Sequence, residues 1–144
     1  MVEKFSILYV DDELQNLISF KATFRREYEI YTATSGVEGM EILRKKQIHL
    51  IITDQRMPEM TGVQFLEKTI PEFPDCIRMV LTGFSDMEAI IDVINTGQIF
   101  RYITKPWDET ELRMTIENAR QMYVLQERNK NLKNKRLSVR KKQS

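Results

Sequence analysis

His49-Leu50-Ile51-Ile52-Thr53-Asp54-Gln55-Arg56-Met57-Pro58-Glu59-Met60-Thr61-Gly62 is an apolar run that ends on a carboxylate and passes at once into a loop marked by Pro58 and Gly62. The same event recurs on either side of it. Ser6-Ile7-Leu8-Tyr9-Val10 ends on Asp11-Asp12, Ile77-Arg78-Met79-Val80-Leu81 ends on Thr82-Gly83, and Phe100 to Ile103 ends on Thr104-Lys105-Pro106. Strands of a parallel sheet carry their C-terminal ends to one edge, so these polar residues are expected to meet at a single mouth. Asp11, Asp12 and Asp54, the Thr82 hydroxyl and the Lys105 ammonium gathered there suit a divalent cation and a phosphoryl group.

Working outward, apolar strands alternate with helical periodicity five times, which predicts a parallel sheet with helices on both faces. The strands are expected at Phe5–Val10, Tyr28–Ala33, Leu50–Thr53, Cys76–Leu81 and Phe100–Thr104. The first, third and fourth are almost wholly apolar, as strands buried on two sides are. The second alternates, which suits an edge. Leu14, Leu17, Ile18 and Phe24 give the first helix an apolar stripe. Ser35 to Glu38 and Ser85 to Glu88 read as capping boxes opening the second and fourth helices, and Asp108 to Glu111 as the start of the fifth. Gly97 is expected to close the fourth helix. Leu112, Ile116 and Ala119 are expected to pack on the sheet, Trp107 at the start of the fifth helix, and Met79, Met87 and Met114 as filler. His49 and Cys76 read as structural.

The fifth helix shows no stop. Met122, Leu125, Asn129, Leu132, Arg136 and Val139 keep the spacing of a coiled-coil seam. From Gln126 to Ser144 eight basic residues (Arg128, Lys130, Lys133, Lys135, Arg136, Arg140, Lys141, Lys142) stand against Glu127, a balance of +7, so the net charge of +1 leaves −6 on the remainder. The chain divides into residues 1–122 and a basic C-terminal helical extension or linker, 123–144.

A length of 144 residues fits about one domain. One cysteine permits no internal disulfide. No apolar run approaches the roughly 20 residues of a membrane span, and the N-terminus lacks a signal-peptide pattern, so no membrane partner and a cytoplasmic location are expected.

Mg²⁺ takes hard oxygen ligands and is usually held by one or two carboxylates plus phosphate oxygens, which matches the acidic residues of the mouth. With Asp11 and Asp12 placed for the metal, Asp54 is the better nucleophile toward phosphorus. Lys105 supplies a point charge for a phosphate oxygen, Thr82 a hydroxyl donor and Gly83 a backbone amide.

The acidic pair Asp11-Asp12, the run Asp54 to Gly62, Leu81-Thr82-Gly83 and Tyr102-Ile103-Thr104-Lys105-Pro106-Trp107 together resemble the receiver domains of bacterial two-component response regulators, over roughly Phe5 to Met122. The resemblance implies a flavodoxin-like fold with strand order 2-1-3-4-5. It also implies phosphorylation of Asp54 by a cognate histidine kinase or phosphotransfer protein. Mg²⁺ would be held by Asp11, Asp12, Asp54 and the Arg56 backbone carbonyl, and Thr82 and Tyr102 would act as switch residues. Arg56 and Phe84 stand where the family tunes phosphate lifetime. The surface expected to change is the fourth helix, fifth strand and fifth helix. It would face a downstream protein, an output domain or a second copy of the chain, a homodimer that also engages the C-terminal helix. Such a domain is not an enzyme beyond its own phosphotransfer and dephosphorylation. The alternative is a DNA-binding or scaffold regulator acting through the basic tail, but no base-reading element is visible and nucleic acid is not the expected partner. A phosphohydrolase would want a second Asp where Arg56 stands. A flavodoxin-like cofactor binder would want a phosphate-cradling loop where Asp11-Asp12-Glu13 stands.

Overall fold

The computed structural model describes residues 4–143, with the side chains of Phe84 and of 137–143 outside the description. Expectations resting on the side chains of Phe84, Val139, Arg140, Lys141 and Lys142 therefore lie outside the described residues. The elements in chain order are β1 (Ser6–Val10), α1 (Leu14–Phe24), β2 (Glu29–Ala33), α2 (Gly36–Lys45), β3 (Leu50–Asp54), α3 (Gly62–Thr69), β4 (Ile77–Thr82), α4 (Met87–Asn95), β5 (Arg101–Thr104) and α5 (Glu109–Gln143), with a short 3-10 turn over Phe84–Asp86 leading into α4. The sheet is parallel in the order β2-β1-β3-β4-β5. The alternation of periods predicted the parallel sheet covered on both faces, and the strand order is the flavodoxin-like one that the resemblance implied.

The central strands are buried along their whole length because both faces are covered. One face carries Ile7, Tyr9, Leu50, Ile52, Met79 and Leu81 against Phe20 and Phe24 of α1 and Leu112, Ile116 and Ala119 of α5. The opposite face carries Leu8, Val10, Ile51 and Val80 against Leu43 of α2, Phe65 and Leu66 of α3, and Ile90 of α4. Trp107 packs edge-on to Phe20, at a centroid distance of 6.4 Å, and beside Phe24 at 6.0 Å. Residue by residue this is the period of two dividing alternate strand side chains between two cores.

Several local expectations need correction. The stripe of α1 is Leu17, Phe20 and Phe24, while Leu14 and Ile18 are 62% and 53% exposed. The expected and observed faces share Leu17 and Phe24, and the observed one adds the Phe20 ring to the core in place of Leu14 and Ile18. Ser35 caps α2 by accepting from Glu38 N at 3.2 Å, but the Glu38 carboxylate accepts from Thr34 Oγ1 at 2.9 Å instead of closing the box. No box forms at Ser85, which lies in the 3-10 turn, and α4 begins one residue later than that reading requires. Met114 is 63% exposed and fills nothing. Asp108 receives the Thr110 amide at 3.3 Å at the start of α5, and Gly97 follows α4 with φ +80°, the left-handed closing conformation.

His49 lies at the far edge of the sheet from the mouth. Its Nδ1 accepts from Ser6 N at 2.9 Å and its ring lies against Phe5 and Tyr123. Cys76 is half-buried and donates to Ile48 O at 3.1 Å, and burial pushes its thiol up to about 11. Arg78, buried in β4, donates from Nε to Thr69 Oγ1 at 2.9 Å and from Nη1 to Cys76 O at 2.7 Å, so the guanidinium ties β4 to the C-terminal end of α3. Beyond residue 122, α5 continues without a break. Lys130 Nζ reaches Asp75 Oδ2 at 3.0 Å, while Leu125 and Leu132 are exposed. No described helix is long and apolar enough to cross a membrane.

Candidate phosphoryl-acceptor site

The register of the sheet brings the strand ends together. Val10 pairs with Thr53, Asp54 with Leu81, and Thr82 with Thr104, so Asp11, Asp54, Thr82 and Lys105 follow one another across a single edge. Backbone bonds then fix the loops: Asp11 N to Ala33 O at 3.1 Å, Gln55 N to Leu81 O at 3.1 Å, and Lys105 N to Thr82 O at 2.8 Å. The Lys105–Pro106 peptide is cis.

Within that edge, Asp11, Asp12 and Asp54 each offer a carboxylate oxygen within 4.8 Å of the others. Asp11 and Asp54 are buried and Asp12 is exposed. Asp11 is held from three sides. Its Oδ2 accepts from Tyr9 OH at 2.9 Å and Asn16 Nδ2 at 3.0 Å, and its Oδ1 from Glu13 N at 3.0 Å. The same neighbourhood, burial first and the Asp11 charge second, pushes the Tyr9 phenol far above its usual range, so Tyr9 is a permanent donor here. Asp54 Oδ1 is in ion-pair contact with Lys105 Nζ and carries no other donor among the described residues. Burial raises the Asp54 carboxyl above the ordinary aspartate range. Lys105 opposes that shift, and the charges of Asp11 and Asp12 add to it. Three carboxylates this close repel one another, and a cation among them would relieve that repulsion.

The oxygen-only donor set fits Mg²⁺ rather than zinc, since His49 and Cys76 lie away from the mouth and no nitrogen or sulfur ligand joins the cluster among the described residues. Beside Asp54 a cleft of about 200 Å³ is lined by Gln55, Arg56, Thr82, Gly83, Ser85, Asp86 and Lys105. Thr82 is buried, with Oγ1 donating to Gly83 O at 3.1 Å. Arg56 sends its side chain across the cleft to Asp86, Nε to Oδ2 at 2.8 Å. Tyr102, on the edge strand β5, is 38% exposed.

The loop after Asp54 is shaped by Gly62. A Cβ there would stand 2.3 Å from the Asp54 carbonyl oxygen, so only glycine lets the loop return this closely. Gln55 Oε1 then accepts the Val63 amide at 2.9 Å, and Thr61 and Gln64 close a reciprocal capping box on α3. Sequence reasoning missed these supports. The Thr61-x-x-Gln64 spacing was a visible signal for the box. Tyr9, Asn16 and Asp86 carry no signal, since each acts through an ordinary side chain placed by the fold.

The model of the response regulator receiver domain family matches residues 7–117. The chain belongs to that family. Among its relatives, the hydrogenase transcriptional regulatory protein HoxA of Bradyrhizobium diazoefficiens is 36% identical over 121 residues, 84% of this chain and 25% of the relative. The receiver therefore spans about a quarter of the length of the curated relatives it matches. A response regulator receiver domain protein of Clostridium thermocellum superposes with a TM-score of 0.79 at 31% identity, covering 84% of this chain and 98% of that one. A structure described as adenylate cyclase from Rhodopirellula baltica superposes with a TM-score of 0.87 at 28% identity, covering 91% and 97%. As a receiver, the chain is a signalling domain of a two-component system.

Proposed function

We propose that Asp54 accepts a phosphoryl group from a phosphohistidine on a partner kinase or phosphotransfer protein, and that Asp11, Asp12, Asp54 and the Arg56 carbonyl hold Mg²⁺ while it does so. The observation that carries this reading is the close set of three carboxylates with Lys105 against the central one. When bound, Mg²⁺ supplies positive charge that draws phosphoryl oxygens onto the acidic cluster and lowers the cost of ionising Asp54.

The chain's own residues do the rest. An Asp54 carboxylate oxygen attacks phosphorus. The new O–P bond forms as the P–N bond of the donor breaks, and the electron pair leaves with the imidazole nitrogen, which takes up a proton. Lys105 moves from the carboxylate to a phosphoryl oxygen, keeping the charge balanced. The Thr82 hydroxyl turns from Gly83 O toward the phosphoryl group, and the Gly83 amide adds a donor at the lip. Turning Thr82 frees volume behind β4, into which Tyr102 rotates from its exposed position on β5. The face of α4, β5 and α5 is thereby remodelled, at the root of the helix that extends past the domain. Only a few kcal/mol of differential binding is needed for such a population shift. HoxA and its like are named as transcriptional regulators, so the downstream event read from this face is proposed to be control of an output unit or of pairing through α5. The compartment proposed is the cytoplasm.

The test is intact-mass measurement after incubation with a small acyl phosphate. One phosphoryl group is expected with Mg²⁺ and none with chelator or in Asp54→Asn. Equal labelling with chelator would remove the metal from the account, and equal labelling in Asp54→Asn would move the acceptor elsewhere.

A further inference from the structure

Arg56 lies on the loop over Asp54. Its Nε donates to Asp86 Oδ2 at 2.8 Å, and its Nη2 stands 3.4 Å from Ser85 Oγ. Arg56 and Asp86 line the cleft that holds Asp54 and Lys105. Asp86 also occupies the N-cap of α4, a place where aspartate is favoured because its carboxylate can accept a free amide of the first turn. Here it gives the helix no such bond, its carboxylate being engaged by Arg56.

We propose that this ion pair is a reserve that is exchanged when Asp54 carries a phosphoryl group. The Arg56 guanidinium leaves Asp86 for the phosphoryl oxygens, and the released Asp86 carboxylate turns to the amides of Glu88 and Ala89. The inference rests on the reading of Asp54 as the phospho-acceptor.

Five physical arguments set the direction of the exchange. A phosphoryl group carries nearly twice the charge of a carboxylate and offers three acceptor oxygens. The guanidinium fork matches phosphate geometry in two parallel hydrogen bonds. The Arg56 side chain is 74% exposed, so its bond to Asp86 is screened by water and is weak enough to give up. Asp86 lines the same cleft and is repelled by the incoming negative charge. Once released, it has a destination on its own helix, where the first-turn amides and the dipole favour a carboxylate. Arg56 thus becomes a phosphoryl ligand through its side chain, separate from any part its carbonyl takes with the metal. The start of α4 gains a cap it lacks in the unmodified protein, which couples the acceptor to the signalling face through side chains alone.

The experiment combines intact mass with two site-resolved readings on the full chain, with and without an acyl phosphate and Mg²⁺. They are the ¹⁵Nε resonance of Arg56 and hydrogen exchange at the Glu88 and Ala89 amides. Phosphorylation is expected to shift the Arg56 resonance and to slow both amides several-fold. In Arg56→Gln the amides are expected to be slow already and to stop responding to phosphorylation. In Asp86→Ala they are expected to stay fast in both states while the mass gain persists. A mass gain that leaves Arg56 unshifted, or amides that respond in Asp86→Ala as in the natural sequence, would overturn the exchange and leave the acceptor standing. No mass gain in the natural sequence would overturn the acceptor and the exchange together.

Discussion

Replacing Gly62 by alanine isolates the geometry that sets Asp54 at the mouth. The added Cβ would lie 2.3 Å from the Asp54 carbonyl oxygen, 3.0 Å from its carbonyl carbon and 3.0 Å from Thr53 Cγ2. Carbon and carbonyl oxygen are comfortable at about 3.3–3.6 Å, so the shortfall is about 1 Å, and two of the three obstacles are backbone that no rotamer change can clear. The loop must back away from β3. Strain of this kind costs about 1–3 kcal/mol. Withdrawal also weakens the hydrogen bond from Gly62 N to Gln55 O, now 3.0 Å, worth about 1 kcal/mol. Alanine returns about 0.4–1 kcal/mol by restricting the unfolded chain. The net expectation is a loss of about 2 kcal/mol, or a fall in Tm of about 4–8 °C for a chain of this size. Thermal and urea denaturation measure it, against two glycines that act as internal controls. At Gly83 an added Cβ meets nothing within 4 Å, so Gly83→Ala is expected to be neutral or slightly stabilising. At Gly97, with φ +80°, the cost is about 1–2 kcal/mol from backbone strain alone. If Gly62→Ala melts with Gly83→Ala, the close return of the loop onto Asp54 is wrong.

Other perturbations probe other parts of the site. Asp54→Asn, measured without divalent cation, is expected to be more stable than the natural sequence at pH 7. Below the ordinary aspartate pKa both folded and unfolded states hold the proton and stability does not change. Above it the unfolded chain releases its proton first, so stability falls as pH rises through the raised native value, and the full penalty is present beyond it. A flat difference between the two proteins across that range would contradict the buried, self-repelling cluster. Adding Mg²⁺ should raise the Tm of the natural sequence more than that of Asp54→Asn. Glu59 sits at φ +69°, a left-handed conformation that costs a residue with a side chain about 1–2 kcal/mol, so Glu59→Gly is expected to hold or raise Tm, whereas Glu59→Val should lower it. Cys76, with its thiol near 11, is expected to have about one part in a thousand as thiolate at pH 8 and to alkylate slowly until the protein is unfolded; rapid alkylation of the native chain would argue against its burial.

The sheet and its mouth were legible in the sequence for one reason: each apolar run ends on a chemically distinct residue. A parallel register then carries Asp11, Asp54, Thr82 and Lys105 to the same edge with no further information. What the sequence hides is which of two acceptable local solutions the tertiary structure selects. In α1, either Leu14 and Ile18 or Phe20 can join Leu17 and Phe24 in a helical stripe, and the burial of aromatic area against Tyr9 and Trp107 decides between them. At the start of α4 the letters of a capping box are present. The chain there tightens into a 3-10 turn, and the Asp86 carboxylate finds an arginine thirty residues away. Likewise nothing local marks Tyr9 and Asn16 as the donors that orient Asp11.

The central claim is that a phosphoryl group is carried on the carboxylate of Asp54, and chemical trapping addresses it directly. Borohydride reduces an acyl phosphate to the alcohol, converting the modified aspartate to homoserine, which peptide mapping locates by residue. After treatment with an acyl phosphate and Mg²⁺, homoserine is predicted at position 54 and at neither 11 nor 12. Homoserine at either of those positions, or a phosphorylated chain with none at 54, would contradict the account.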